Sequence, residues 1–430
     1  MKYLQSHGRQ VSTSGEQARC ALPPMAKSGK NGTQQHRSCS QAGFTLVEML
    51  VVMGVFIIVI MIAGDSFIRI LKYSGLLSRS AESNIEGVVG LEMFRHDLNQ
   101  AGFGLPWGFS GSSPAQYQEA DKAPGNSCND SPNGIPRAFA AADNLTVSGV
   151  LNGTDYLVLK GTSLAANNAS QRWTYVNYSS VGSLKPRIWS SGNLADNDRV
   201  IVLRRGFADS GYQNQLVYDN SDPNTFFTTY SKDGFSETQQ AFSPSYPQET
   251  FFLYGVTPEG LDPRMPFNRS DYFIDRPAGI AQYCAKNTGV LYKSNVKHAD
   301  GNLDKIPIMD CVADMQVVFG WDMNEDGVID ALSNANGDTV TGGNAAAVQN
   351  TMQNAAQLRT RLKVVKVYLM VQDGRRDPNF TNDKTIIVGN TDEKSLTKVY
   401  DVSKLDTNGW LNYRWKIYRI VVNPKNLLLK

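Results

Sequence analysis

Glu48 is the residue whose chemistry most needs explaining. It stands in Phe44–Gly64, a run of 21 residues in which it is the one charged side chain. At about 1.5 Å per residue, such a run makes roughly 31 Å of helix, enough to cross a bilayer core. A carboxylate at that depth costs roughly 2.5–3.5 kcal/mol or more, so it needs a counter-charge. A cut between Gly43 and Phe44 would create one, because the new amine lies four residues from Glu48. Pairing that amine with the Glu48 of a neighbouring molecule would set register between subunits.

The second constellation is Asp322-Met-Asn324-Glu-Asp326-Gly327-Val328-Ile-Asp330. Oxygen donors at positions one, three and five with glycine at six match the first half of a calcium loop. Val328 would add its carbonyl, and Asp330 a direct or water-mediated oxygen. Position twelve is Ser333 where a helix–loop–helix calcium site needs glutamate. A strand precedes the loop. The expectation is therefore Ca2+ held in a β-loop, with Asp314 or Asp338 completing the shell. The competing reading is a solvated Asp-Gly turn.

These residues need elements to position them. Residues 1–43 carry six basic side chains against the single acid Glu16, which keeps that end cytoplasmic and sends the rest outward. A secretory signal would place small residues at its cleavage site after the apolar core, and Ile62-Ala63-Gly64-Asp65 does so poorly. Met25 is an alternative start. Beyond Gly64 the apolar residues Phe67, Ile70, Leu71, Ile85, Val88, Val89, Leu91, Phe94 and Leu98 recur mostly at steps of three and four, an amphipathic helix. Gly102, Gly104 and Pro106 stop it. Residues 145–150, 155–160, 173–178, 199–204 and 251–256 read as strands, and 107–137 and 205–250 as long loops. Residues 311–321, 361–371, 385–388 and 413–422 are the best-patterned strands. The last of these is expected to have one face on a helix and one in water.

The expected fold is α+β: a long N-terminal transmembrane and amphipathic helix packed on an antiparallel sheet, with a large β-rich, loop-rich lobe. The divisions are a leader at 1–43, a spanning helix at 44–64, its amphipathic extension at 65–104 and a lobe at 105–430. Within the lobe, 105–290 reads as a variable insert and 311–430 as a C-terminal sheet.

The order basic leader, Gly43, Phe44-Thr-Leu-Val-Glu48, apolar helix resembles the N-terminus of type IV prepilins and of type II secretion pseudopilins. Phe94–Gly104, the 311–330 strand with its acidic loop, and the strands at 361–371 and 413–422 narrow the likeness to minor pilins of the PilW type. The resemblance implies cleavage after Gly43 by a prepilin peptidase, N-methylation of Phe44 and Glu48 as the assembly carboxylate. It also implies partners among major and minor pilins and an inner-membrane assembly platform. The protein would rest in the inner membrane before entering a surface filament. The proline that many family members carry near the membrane exit is absent; the chain reads Ala63-Gly64-Asp65.

Removal of the leader takes Cys20 and Cys39 with it and leaves Cys128, Cys284 and Cys311 in an oxidising compartment. A Cys284–Cys311 bridge over 27 residues would contribute about 3–4 kcal/mol in the loop-entropy picture. A Cys128–Cys284 bridge is the alternative.

Residues 44–430 hold 36 basic and 39 acidic side chains, which argues against a broad nucleic-acid footprint. Four histidines and the lack of a nucleophile elbow, a phosphate loop or a His-Glu-x-x-His motif argue against an enzyme. His96 reads as packed or interfacial, His298 as a loop residue, and Asp271 and Asp275 as loop solvation. The function expected is assembly. A secretion pseudopilin and a filament-displayed adhesin are the alternatives.

Overall fold

The computed structural model describes residues 45–180, 184–208, 211–219, 221–222, 225–340, 344–393, 395–405 and 409–427. Gly43, Phe44, Cys20 and Cys39 lie outside them. Helix α1 (Leu46–Gln100) is followed by β1 (Gly108–Phe109), β2 (Phe139–Leu145), β3 (Thr154–Gly161), β4 (Trp173–Asn177), β5 (Arg199–Ala208), β6 (Gly211–Val217), β7 (Thr228–Thr229) and β8 (Thr250–Thr257). Next come β9 (Asn268–Asp275), β10 (Gly289–Val296), β11 (Leu303–Trp321), β12 (Ala331–Ser333) and β13 (Thr339–Val340). Helices α2 (Ala345–Gln353) and α3 (Ala355–Arg361) precede β14 (Leu362–Asp373), β15 (Thr385–Val388), β16 (Lys398–Asp401) and β17 (Arg414–Val422). The architecture is α+β, as the sequence pattern implies.

Two compact units divide the chain after Arg69. In the first, the described residues are almost wholly helix, and Leu46–Ile68 is long and apolar enough to cross a membrane, with none of it buried. The second unit, from Ile70 on, is built on a nine-stranded sheet of order β13-β12-β11-β10-β9-β3-β2, in which β14 joins β11 and β17 joins β14. The 19-residue β11 can serve several neighbours because its Leu303–Val312 half pairs with β10, while its Val312–Trp321 half pairs with β14. A second sheet, β1-β6-β5-β8-β4 with β7 on β5, has its own core of Val176, Val200, Val202, Tyr230, Phe251 and Leu253.

Within this second unit, α1 packs on the large sheet through Phe94, Leu98 and Ala101, all completely buried with Leu159, Tyr272, Leu291, Met315 and Leu369. The Phe94 ring stacks on Tyr272 with centroids 3.9 Å apart. Gly90 permits the close approach, since a Cβ there would come within 2.6 Å of the Ile308 carbonyl oxygen. The helix stops where the glycines place the stop: Gly102 adopts φ +86° and its N–H donates to the Lys160 carbonyl at 2.8 Å.

Several strand readings need correction. Residues 145–150 form a turn rather than a strand; β2 ends at Leu145 because Asn144 takes a left-handed φ of 46° and its N–H caps the Asp155 carboxylate at 3.0 Å. The 205–250 stretch is not all loop, since β6 folds back on β5. The outer face of β17 is not simply in water: Trp415 and Ile417 pack against the β15–β16 hairpin and its core of Val388, Leu396, Val402 and Leu405. Helices α2 and α3 add two short elements that the apolar pattern does not mark, capped by Asn344 and Asn354 in the ordinary way.

Candidate functional site: the N-terminal helix and its anchorage

Glu48 sits at the third position of α1, after Thr45. Thr45 N–H and Oγ1 each donate to Glu48 Oε2 at 3.0 Å, and Glu48 N–H donates back to Thr45 Oγ1 at 3.3 Å. This reciprocal arrangement is a capping box. Among the described residues the carboxylate thus has neutral local donors but no counter-charge. The apolar side chains around it, Leu46, Val47, Met49 and Leu50 onward, are all exposed.

At the other end, the helix is pinned by charge as well as by packing. Asp97 is buried, with Lys293 Nζ at 2.5 Å and the Tyr272 hydroxyl donating at 2.7 Å. Lys293 lies on β10 and Tyr272 on β9, so one carboxylate ties α1 to two strands. Burial, then the Asp97 charge, pushes the Tyr272 hydroxyl well above its ordinary pKa, so it remains a donor. Asn426 Nδ2 also donates to the Asn99 carbonyl at 2.9 Å. His96, next to Asp97, is largely exposed rather than packed.

A larger charge network lies where the 115–137 segment crosses β3 and β9. Arg269 is completely buried and donates to Glu119 Oε2 at 2.8 Å and to both Asp271 oxygens at 2.7 and 2.8 Å. Lys160, also completely buried, has Glu119 at 2.7 Å and Asp130 at 2.6 Å. Arg137 Nε donates to Asp130 at 2.7 Å. Asp271 is therefore a structural anion in mid-strand, and reading it as loop solvation was wrong. The alternating pattern of β9 hid it, because both faces of that strand are buried. Asp275 ends the same strand and pairs with Lys305 at 2.6 Å. Burial alone would raise the Asp130 carboxyl, but Lys160 and Arg137 outweigh it and hold it below the usual range.

Cys284 and Cys311 are disulfide-bonded, with Cα atoms 5.0 Å apart, and tie the turn before β10 to the kinked point of β11. Cys128 is a buried free thiol, so the alternative Cys128–Cys284 pairing is not the one formed. His298 lies in the turn after β10, half-buried rather than open to solvent. The Arg264 N–H donates to its Nδ1 at 3.0 Å, which places the ring proton on Nε2, facing Asn268 Oδ1 at 3.0 Å.

The acidic loop joins β11 to β12. Asp322 is completely buried; its oxygens accept from Asp326 N–H at 3.0 Å and Gly327 N–H at 2.8 Å, and Lys363 lies 3.3 Å away. Asp326 accepts from Val328 N–H at 2.8 Å, and Asp330 from Met323 and Asn324 N–H at 2.8 and 3.2 Å. Glu325 and Gly327 take positive φ, which curls the donors of Asp322, Asn324, Asp326 and Asp330 around one loop. Among the described residues, no three His, Cys, Asp or Glu side chains stand grouped as a metal site. Neither proposed outer ligand reaches the loop. Asp314 is eight residues back along β11, roughly 26 Å at strand rise, and pairs with Lys398 at 3.3 Å. Asp338 accepts from Asn334 within its own turn.

Comparison with known families bears on this arrangement directly. Residues 271–426, from β9 to the end of the large sheet, match the family described as Type IV Pilus-assembly protein W, and residues 39–64 match the Prokaryotic N-terminal methylation motif. Over these two segments the chain is similar to type IV pilin-like proteins of the PilW type. No curated protein and no solved structure matches it. The family match covers β10, β11 and β14 and most of β9, which receive α1, but not β3, whose Leu159 packs in the same core. The β4–β8 sheet falls outside it. A methylation motif running into an apolar helix marks a membrane-anchored pilin precursor, and both matched families are structural rather than enzymatic. Membership of these families implies work with other pilins and with pilus-assembly machinery.

Proposed function

We propose that this protein is a minor pilin of a type IV pilus, cut after Gly43 by a prepilin peptidase, methylated at Phe44, and built into the filament or its initiating tip complex. The observation that carries the proposal is Glu48, a carboxylate met among the described residues only by a capping box, at the head of an exposed apolar helix. On assembly the helices would bundle, and the amine of a neighbour's Phe44 would supply the charge that Thr45 does not. Anchorage by Asp97, Phe94 and Leu98 holds the lobe to its own helix, so pulling on the helix carries the lobe with it.

Mass spectrometry of the mature N-terminus tests processing: a methylated peptide beginning at Phe44 is expected, and an intact leader would overturn the reading. Deletion is expected to remove pili and spare protein secretion; the reverse would assign the chain to a secretion pseudopilus. The β4–β8 sheet, outside the family match, supports a subsidiary role in display or adhesion. Surface binding by the wild-type filament that is lost with this sheet would establish that role.

The acidic loop is proposed to take calcium. Its oxygens suit a hard cation, and Asp322, Asn324, Asp326, the Val328 carbonyl and Asp330 would hold it. The ion would displace loop N–H groups and Lys363 as partners of the carboxylates.

A further inference from the structure

We propose that Lys160 and Asp130 are joined side chain to side chain by an intramolecular amide bond, with Glu119 moving the proton. The inference does not depend on the filament reading. Lys160 Nζ is wholly removed from solvent, 2.6 Å from Asp130 Oδ2 and 2.7 Å from Glu119 Oε2, with the Phe267 ring 5.5 Å away. The Cys128 carbonyl accepts from it at 3.4 Å.

All three groups are fixed before any reaction. Glu119 Oε1 accepts from the backbone N–H of Asp130 at 2.7 Å and of Ser131 at 3.1 Å, so the base is tied to the segment that bears the electrophile. Arg137 donates to Asp130 from its backbone N–H at 2.8 Å and from Nε at 2.7 Å, and these donors face the oxygens on which charge develops during attack. Groups held in this way react with effective concentrations of about 10⁵–10⁸ M.

The step balances without a co-reactant. Glu119 accepts one proton from the Lys160 ammonium, freeing the nitrogen lone pair to form the Nζ–Cγ bond with Asp130. One Asp130 C–O bond then breaks. That oxygen leaves as water, carrying two of the three ammonium hydrogens, one of them returned through Glu119. An ammonium and an ionised carboxylate thus give an amide and water with no net proton change. Two buried charges vanish, and the remaining pairs, Arg137 and Arg269 against Glu119 and Asp271, still balance. The alternative is a buried ion pair that never condenses.

Intact-mass measurement on the purified, disulfide-reduced full chain separates the two. The expected mass is one water below that of the polypeptide with its own N-terminus, leader-bearing or cut and methylated, and digestion should yield a branched peptide linking Lys160 to Asp130 with no tryptic cut after Lys160. Asp130→Asn should lose ammonia instead and arrive at the wild-type product mass. Lys160→Arg and Glu119→Gln should carry their full masses. A wild-type chain of full mass cut normally after Lys160 overturns the proposal without recourse to any variant. So does a mass loss that persists in Lys160→Arg, or a branch at Glu119.

Discussion

Glu48 and His298 show how a single side chain's surroundings decide its chemistry. For Glu48, replacement by alanine removes both the lipid-embedded charge and half of the Thr45 capping box. The protein should still enter the membrane, yet be missing from sheared filaments on immunoblotting; normal incorporation of Glu48→Ala would sink the pairing idea. His298 is held neutral: burial foremost, then the nearby Arg264 charge, lowers its pKa to about 4 from an ordinary 6.5. The unfolded chain therefore binds the proton more readily. The stability that the neutral ring permits is complete above about pH 6.5 and falls as the pH drops toward 4, by about 3 kcal/mol at most. Denaturant titrations of the detergent-solubilised protein across that range should show this slope, and His298→Gln should flatten it.

At the scale of elements, the question is what fastens α1 to the sheet and the loops to each other. Asp97→Ala leaves Lys293 buried without its partner, a loss of about 3–5 kcal/mol. Asp97→Asn, which still accepts from Tyr272, should lose less. Chemical denaturation of both variants against the wild type measures the losses, and stabilities equal to that of the wild type would show the pair to be idle. The acidic loop makes a separate prediction. If it takes calcium, the ion at a hundredfold excess over its Kd should stabilise the protein by about 2.7 kcal/mol. The effect should appear as a raised Tm on adding calcium and vanish in Asp326→Ala. An unchanged Tm in the wild type would leave the loop a turn held by its own amides and Lys363.

For the whole molecule, if it enters a filament as proposed, the size of the lobe would set its place. Two sheets with separate cores make a body bulky for a uniform shaft, which favours a rare or tip position. Immunogold label should gather at filament ends; an even distribution along fibres would remove that expectation.

The long helix, the principal C-terminal strands and the Cys284–Cys311 pair were legible because each depends on local pattern: apolar spacing, alternation, glycine and proline stops, and the short list of available cysteines. Helix α1 ends at Gln100 because Gly102 lets the chain turn left-handed there, and that is written in the residue itself. Glu48 could be singled out from one carboxylate against twenty uncharged neighbours. What remained hidden was decided by partners far away in sequence. Arg269 stands two residues from Asp271, but nothing near either shows that Glu119 is reached across 150 positions. Nothing near Lys160 shows that two carboxylates converge on it in the dry interior. A buried charge is tolerable only where the folded chain brings its counter-charges, so sequence could name the acids and bases, and only tertiary structure could pair them.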